Sequence, residues 1–400
     1  MINFDFDTYL NKYIDKDIFK KFYDRKEEVF EKFNNSKMVG WSKDIDKNIV
    51  EDIIKIRDEI RNNSSCLVVI GIGGSYLGSL AINSLFDSEF EIVYLGNNLS
   101  SKYILDTFKY LEDKDFYVNV ISKSGTTMEI QITYSLLLDF MKKKYSEEEI
   151  VKRTIITTDS VKGKLREEVR CKNYRSFVIP DDIGGRYSLI TPAHLLPLSF
   201  NIDIKKLITG FREGLNLKEE AYLYAVSRRS LFEIGKYIEN FSVYEPSFSN
   251  FLEWIKQLLG ETEGKNNKGI FPVSTIGTRD LHSLGQFIQD GHSIIFETFI
   301  KIKNINNNIK FKNIELDKIN NLVLDSVVEA HLKNNVFSSI IEINSINEET
   351  IGILCAFFML SAAYSGYLFD VEPFNQPGVE IYKECVKNNL SEALKWKRNI

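Results

Sequence analysis

A chain of 400 residues is longer than one hydrophobic core usually serves, so two domains are expected. Hydrophobic residues make up 44% and charged residues 27%, the composition of a globular protein. A net charge of -5 gives no electrostatic ground for a nucleic acid or an anionic membrane as partner. The four cysteines, Cys66, Cys171, Cys355 and Cys385, are far apart and form no C-x-x-C pair. They read as reduced thiols in a reducing compartment, which argues against a disulfide frame or a zinc site. The N-terminus mixes acids, bases and aromatics and lacks a basic segment followed by an apolar run, so a cytoplasmic location is expected.

In chain order, residues 1–60 read as an N-terminal helical segment. An apolar, β-branched run follows at Cys66–Ile72, with others at Glu91–Gly96, Phe116–Ser122, Thr154–Thr158 and Ser176–Pro180. Helix-period segments such as Ser79–Phe86 and Met128–Lys144 lie between them. Strands alternating with helices at this spacing predict a parallel sheet covered on both faces, which we place at 61–200. A helical stretch from Phe211 to Tyr237 opens a second unit, 201–400, with strands expected at Phe241–Tyr244, Gly269–Ser274, Ser293–Phe299 and Ser338–Ile343. Lys303–Asp317 reads as a surface excursion. Ile351–Phe369 carries no charge and is long enough to span a bilayer, but its Ser361, Tyr364, Ser365 and acidic flanks favour a buried core helix.

Two strand ends carry the polar chemistry. The first runs into Gly71-Ile-Gly73-Gly74-Ser75-Tyr-Leu-Gly78, where glycines let backbone N–H groups approach an anion. A dinucleotide site is disfavoured: Tyr76 stands where the third glycine belongs, and Asn97-Asn98 supplies no acid for a ribose. A plain structural turn stays open. The third strand ends in Ser122-Lys123-Ser124-Gly125-Thr126-Thr127. Four hydroxyls and an ammonium at a helix start suit a phosphate monoester better than an ordinary N-cap, which needs one hydroxyl. Glu129 in the next turn reads alone as an acid complementing the helix dipole.

These motifs resemble the sugar isomerase fold, and later segments narrow the resemblance to the glucose-6-phosphate isomerase family in its shorter bacterial form. The segments are Gly184-Gly185-Arg186-Tyr187-Ser188, Gln257-Leu-Leu-Gly260-Glu261-Thr-Glu263-Gly264-Lys265, Asp280-Leu-His282-Ser-Leu-Gly-Gln286, and Asn375-Gln376-Pro377-Gly378-Val379-Glu380-Ile-Tyr-Lys383. The resemblance spans Val68 to Lys383, in order. It departs at Arg279, where the family commonly has Thr.

The resemblance implies two doubly wound, mainly parallel α/β domains with added helices at both termini. It also implies interconversion of glucose 6-phosphate and fructose 6-phosphate through ring opening and a cis-enediol. Moving a proton between two sugar carbons requires a base, a stabiliser for the growing oxyanion and a ring-opening acid/base. By resemblance, Glu261 is the base; the residues alone do not separate it from Glu263. Arg186 is the stabiliser, always charged. His282, among four histidines with His194, His292 and His331, opens the ring, assisted by Lys383. The phosphate falls to Ser122, Lys123, Ser124, Thr126 and Thr127, with Gly74 and Ser75 nearby. Gln257 and Gln376 contact the sugar, and Glu129 orients the site. The resemblance further implies a homodimer in which His282 comes from the neighbouring subunit. No cofactor is expected, and no metal: the histidines lack H-x-x-x-H spacing. Other expectations are an isomerase acting also on mannose 6-phosphate, or a non-catalytic phosphosugar sensor. The sensor is weakened because no basic helix-turn-helix stands in the first 60 residues.

Overall fold

The computed structural model describes residues 2–5, 14–305 and 309–396. Its first sheet contains β2 (Cys66–Ile70), β3 (Glu91–Leu95), β4 (Phe116–Ile121), β5 (Thr154–Thr158) and β6 (Arg175–Val178). They are ordered β3-β2-β4-β5-β6 and all pair in parallel. Every residue of β2, β4 and β5 is buried, as expected where helices cover both faces of a parallel sheet. This is why those strands read as unbroken apolar runs.

The second sheet contains β7 (Ile238–Val243), β8 (Phe271–Ile276), β9 (Ile295–Ile302) and β12 (Ser338–Ile343), joined by an N-terminal strand β1 (Ile2–Asp5). Its order is β1-β12-β9-β7-β8, with β1 antiparallel and the others parallel. Two mainly parallel sheets therefore stand as expected from sequence, the second with one strand more than the four expected. The expectation of a wholly helical segment over 1–60 is corrected by β1. The residues Ile2-Asn3-Phe4-Asp5 alternate apolar and polar as a strand does, and they pair with Ile340–Ile343. Helices do follow, at Lys16–Tyr23, Lys26–Asn35 and Lys47–Asn63, the first and last capped by the side chains of Asp15 and Asp46. The expected excursion at Lys303–Asp317 carries a short hairpin, β10 (Lys310–Phe311) with β11 (Ile314–Glu315); its residues 306–308 lie outside the described residues.

One apolar core runs through both halves, including Val50, Leu67, Leu196, Phe241 and Phe357. Its central element is the helix Glu348–Leu368, 94% buried along its most apolar window. It is a core helix, as its polar interruptions predicted.

Candidate active site

In open parallel sheets, ligands bind beyond the carboxyl ends of the strands, where the strand order reverses. In the first sheet that point lies between β2 and β4, whose ends lead into Gly71–Ser75 and Ser122–Thr127. Both motifs flagged from sequence therefore flank one crevice.

The Ser122–Thr127 segment is held by its own side chains. Ser122 Oγ accepts from the Gly125 N–H at 3.1 Å and lies 3.4 Å from Thr127 Oγ1. Ser124 Oγ accepts from Thr126 N–H and from Thr126 Oγ1, both at 3.2 Å. Gly125 has a φ of +65°, and a Cβ there would lie 2.8 Å from the Leu165 nitrogen. Only glycine fits that turn. Thr127 occupies the N-cap position of the helix Met128–Met141, yet its side chain makes no capping bond. Glu129 is half-buried in the first turn of that helix.

Lys123, expected at the phosphate, has its ammonium bonded to main-chain carbonyls. Its Nζ donates to the carbonyls of Pro180 (3.0 Å), Asp181 (3.1 Å) and Ile183 (3.2 Å). An ammonium has three N–H donors, and here each has a carbonyl. Lys123 thus clamps the loop leading to Gly184–Ser188 to the end of β4.

That loop delivers Arg186. Its side chain is 1% exposed, in a 3-10 turn at Gly185–Tyr187. Nε donates to Thr262 Oγ1 at 3.0 Å, Nη1 to Gln376 Oε1 at 2.9 Å and to Glu261 Oε2 at 3.2 Å. Nη2 donates to the carbonyls of Asn375 (3.1 Å) and Pro373. Segments distant in sequence are thereby gathered on one guanidinium.

Glu261 stands near the end of the helix Ser249–Glu263, one turn after Gln257. Residues four apart share a helix face, and Gln257 Nε2 donates to Glu261 Oε1 at 3.0 Å. The opposite stripe, including Phe251, Ile255, Leu258 and Leu259, is fully buried, so the core fixes the helix rotation. Glu261 keeps 32% of its side chain exposed, whereas Glu263 is fully buried and bonded to Arg228. The two acids left undivided by sequence are separated by environment: one faces the crevice and the other the core. The buried Oε1 of Gln257 has no protein partner, leaving an acceptor beside the carboxylate.

The Gly71–Ser75 turn abuts this cluster. A Cβ on Gly74 would lie 2.3 Å from the carbonyl carbon of Gly185, and one on Gly73 would lie 3.0 Å from Gln257 Nε2. Gly74 and Ser75 are thus next to the Arg186 turn, both half-buried.

His282 and Lys383 belong to neither cluster. His282 is exposed at the end of a 3-10 turn, Arg279–His282. Asp280, two residues before it, accepts from the Ile276 N–H at 2.7 Å and pairs with Arg279, whose guanidinium holds the carboxyl below the usual carboxylate range. Arg279, the departure noted in sequence, therefore makes a local ion pair. Lys383 is half exposed on the helix Pro377–Trp396, bonded to Glu380 at 2.7 Å. Two further ionisable groups, His194 bonded at Gly74 and Lys265 near the Arg186 charge, had no part in the sequence reading. Burial pulls the Lys265 ammonium down to about 8, with the Arg186 charge adding to the effect. Among the described residues, no cluster of three or more His, Cys, Asp or Glu side chains is arranged to hold a metal ion.

Comparisons with known proteins identify the family. A family model described as phosphoglucose isomerase matches residues 54–225. A glucose-6-phosphate isomerase of Staphylococcus saprophyticus is 42% identical, the match covering 87% of this chain and 86% of the relative. One from Staphylococcus epidermidis is 41% identical over 86% of this chain and 85% of the relative. Among solved structures, a hypothetical protein from Thermus thermophilus superposes with a TM-score of 0.88 at 24% identity, covering 98% of this chain and all (100%) of that one. A glucose-6-phosphate isomerase from Chlamydia trachomatis gives 0.77 at 21% identity, covering 89% and 78%. The structures share the fold, and the sequence relatives match along most of both chains: the chain belongs to the phosphoglucose isomerase family.

Proposed function

We propose that this chain interconverts glucose 6-phosphate and fructose 6-phosphate, with Glu261 as the proton-transferring base. The observation that carries the assignment is the Gln257–Glu261–Arg186 cluster: a partly exposed carboxylate, a buried guanidinium 3.2 Å away and an unpartnered amide oxygen. A proton leaves one sugar carbon for Glu261 and returns to its neighbour, while Arg186 stabilises the oxygen on which charge grows. Gln257 and Gln376 bind sugar hydroxyls.

The phosphate is held at Ser122, Ser124, Thr126 and Thr127, with Gly74 and Ser75 on the facing turn. An uncapped N-terminus of a 14-residue helix at that loop supports this reading. Lys123 supports the phosphate loop indirectly, through the Pro180–Ile183 carbonyls. Glu129 orients the loop from the first helical turn. The enzyme works in the cytoplasm.

His282 and Lys383 open the ring. His282 acts across a dimer interface, a reading supported by the exposure of Leu284 (47%) and Phe287 (49%) beside it. Mixing and refolding Glu261→Gln with His282→Gln tests that interface. Random pairing puts one intact site in half of the dimers, so about a quarter of wild-type activity returns if His282 acts in trans. No recovery places it in its own subunit's site. The activity itself is tested by a coupled assay of fructose 6-phosphate conversion with a chelator present, run in parallel on mannose 6-phosphate.

A further inference from the structure

The crevice contains a buried histidine to which neither the resemblance nor the reaction gives a part. His194 lies in the helix Pro192–Leu198 and is 2% exposed. Its Nδ1 accepts from the Ser79 N–H at 3.1 Å. An imidazole nitrogen that accepts carries no proton, so the ring proton is on Nε2. Nε2 lies 2.8 Å from the Gly74 carbonyl oxygen, in the position of a donor. Ser188 Oγ lies 3.1 Å from the same oxygen and 2.7 Å from the Gly185 carbonyl oxygen, so its single proton is shared between the two turns and links them. The ring fits because residue 78 is glycine: a Cβ there would lie 3.2 Å from the imidazole.

We propose that His194 is a positioning residue of the isomerase site, a neutral Nε2–H donor that fixes the Gly71–Ser75 turn and, through it, Gln257 and Glu261. The turn has no slack to absorb a loss of this bond. Gly74 abuts Gly185 and Arg186 backbone atoms, and Gly73 is packed at Gln257 Nε2, which itself holds Glu261. A shift of the Gly74 peptide is therefore transmitted to both the base and the guanidinium. Burial, which pulls the imidazole down to about 4, keeps the ring neutral at working pH. The inference rests on Glu261 being the base.

The test compares the full-length enzyme with His194→Leu, which keeps bulk and removes both bonds, and His194→Gln, which can restore a donor and an acceptor. We expect His194→Leu to lower kcat by about 10- to 100-fold, the scale of a misplaced catalytic group. KM should stay within about threefold, and 6-phosphogluconate should still bind one per chain, which excludes a mere loss of folded enzyme. His194→Gln should recover most of the lost rate. Wild-type kcat in His194→Leu overturns the proposal, as does a rate loss matched by a loss of binding stoichiometry. Should His194→Leu not fold, two other measurements decide. Side-chain 15N spectra of the wild type must show one histidine fixed as the Nε2–H tautomer, and Ser188→Ala must lower kcat in the same direction; an Nδ1–H ring or an unchanged kcat overturns the idea. Glu261→Gln keeps the premises separate. If that variant stays active, the base is misassigned; if it is inactive while His194→Leu is normal, only the role of His194 fails.

Discussion

Two arginines of this molecule have side chains that are each 1% exposed, and they have opposite surroundings. Arg228 is bonded to Glu239 at 2.6 Å, to Glu263, and to Ser365 Oγ at 2.8 Å. Both carboxylates are fully buried, and Tyr224 and Thr298 add bonds to Glu239 at 2.5 and 2.7 Å. Every partner faces inward. Arg186 is equally deep, yet its two side-chain partners at Nη1 are open: Glu261 is 32% exposed and Gln376 is at the surface. The lesson concerns what burial means for a charge. A buried cation whose acid partners are also buried serves architecture, whereas one whose partners reach water stands behind groups that a ligand can meet.

Three substitutions sharpen or break this comparison. The largest effect is expected at Glu261→Gln, which should lower kcat by about 10²–10⁴-fold, the range for a general acid–base group. The fold and 6-phosphogluconate binding should persist, as calorimetry can check; near-wild-type turnover removes Glu261 from its role. Arg186→Met follows, with a loss of about 10²–10³-fold in kcat on the scale of an oxyanion donor, and a smaller stability loss than at Arg228, because Glu261 is released to water and only the Thr262 and Pro373 acceptors are stranded in the interior. Arg228→Met should reverse that pattern. Stranding two buried carboxylates costs about 3–5 kcal/mol, read by urea unfolding, while any folded fraction keeps its pH–rate profile. Equal stability losses in the two arginine variants would defeat the distinction.

A further contrast is one of pH. The His194 ring is held at about 4 against an ordinary 6.5, so between those values the unfolded chain binds the extra proton. Its contribution to stability is complete above pH 6.5 and is lost as pH falls toward 4. Unfolding midpoints across this window should fall less steeply for His194→Gln than for the wild type. The smallest effect is expected at Lys123→Ala. Losing three bonds to a neighbouring loop should raise KM by about two- to fivefold, since each bond is worth about 1 kcal/mol or less net when water can replace it. A loss of about 10²-fold or more would return Lys123 to direct phosphate contact.

What was readable in the sequence follows from where each signal resides. β2, β4 and β5 were placed to within two residues because burial on both faces forces apolar runs closed by Gly, Ser or Thr. β1 was overlooked: Ile2-Asn3-Phe4-Asp5 alternates apolar and polar, but the run is short, and its partner Ile340–Ile343 lies at the other end of the chain. The candidate site divides in the same way. Arg186, Glu261, Gln257 and Gln376 belong to short motifs, and the resemblance named them before the structure brought them together. The partners of Lys123 and His194 include main-chain carbonyls 57 to 120 residues away. A carbonyl is the same whatever residue bears it, so such bonds have no signature in sequence.

The antiparallel β1 has one further consequence. Residues 2–5 belong to the sheet formed by the second half of the chain, paired beside Ile340–Ile343. A fragment ending between β6 and β7 would therefore carry off the edge strand of the half it leaves behind, exposing the backbone of β12 to intermolecular pairing. Co-expressed as two pieces, the halves should assemble as complements, and the second should be insoluble when made alone.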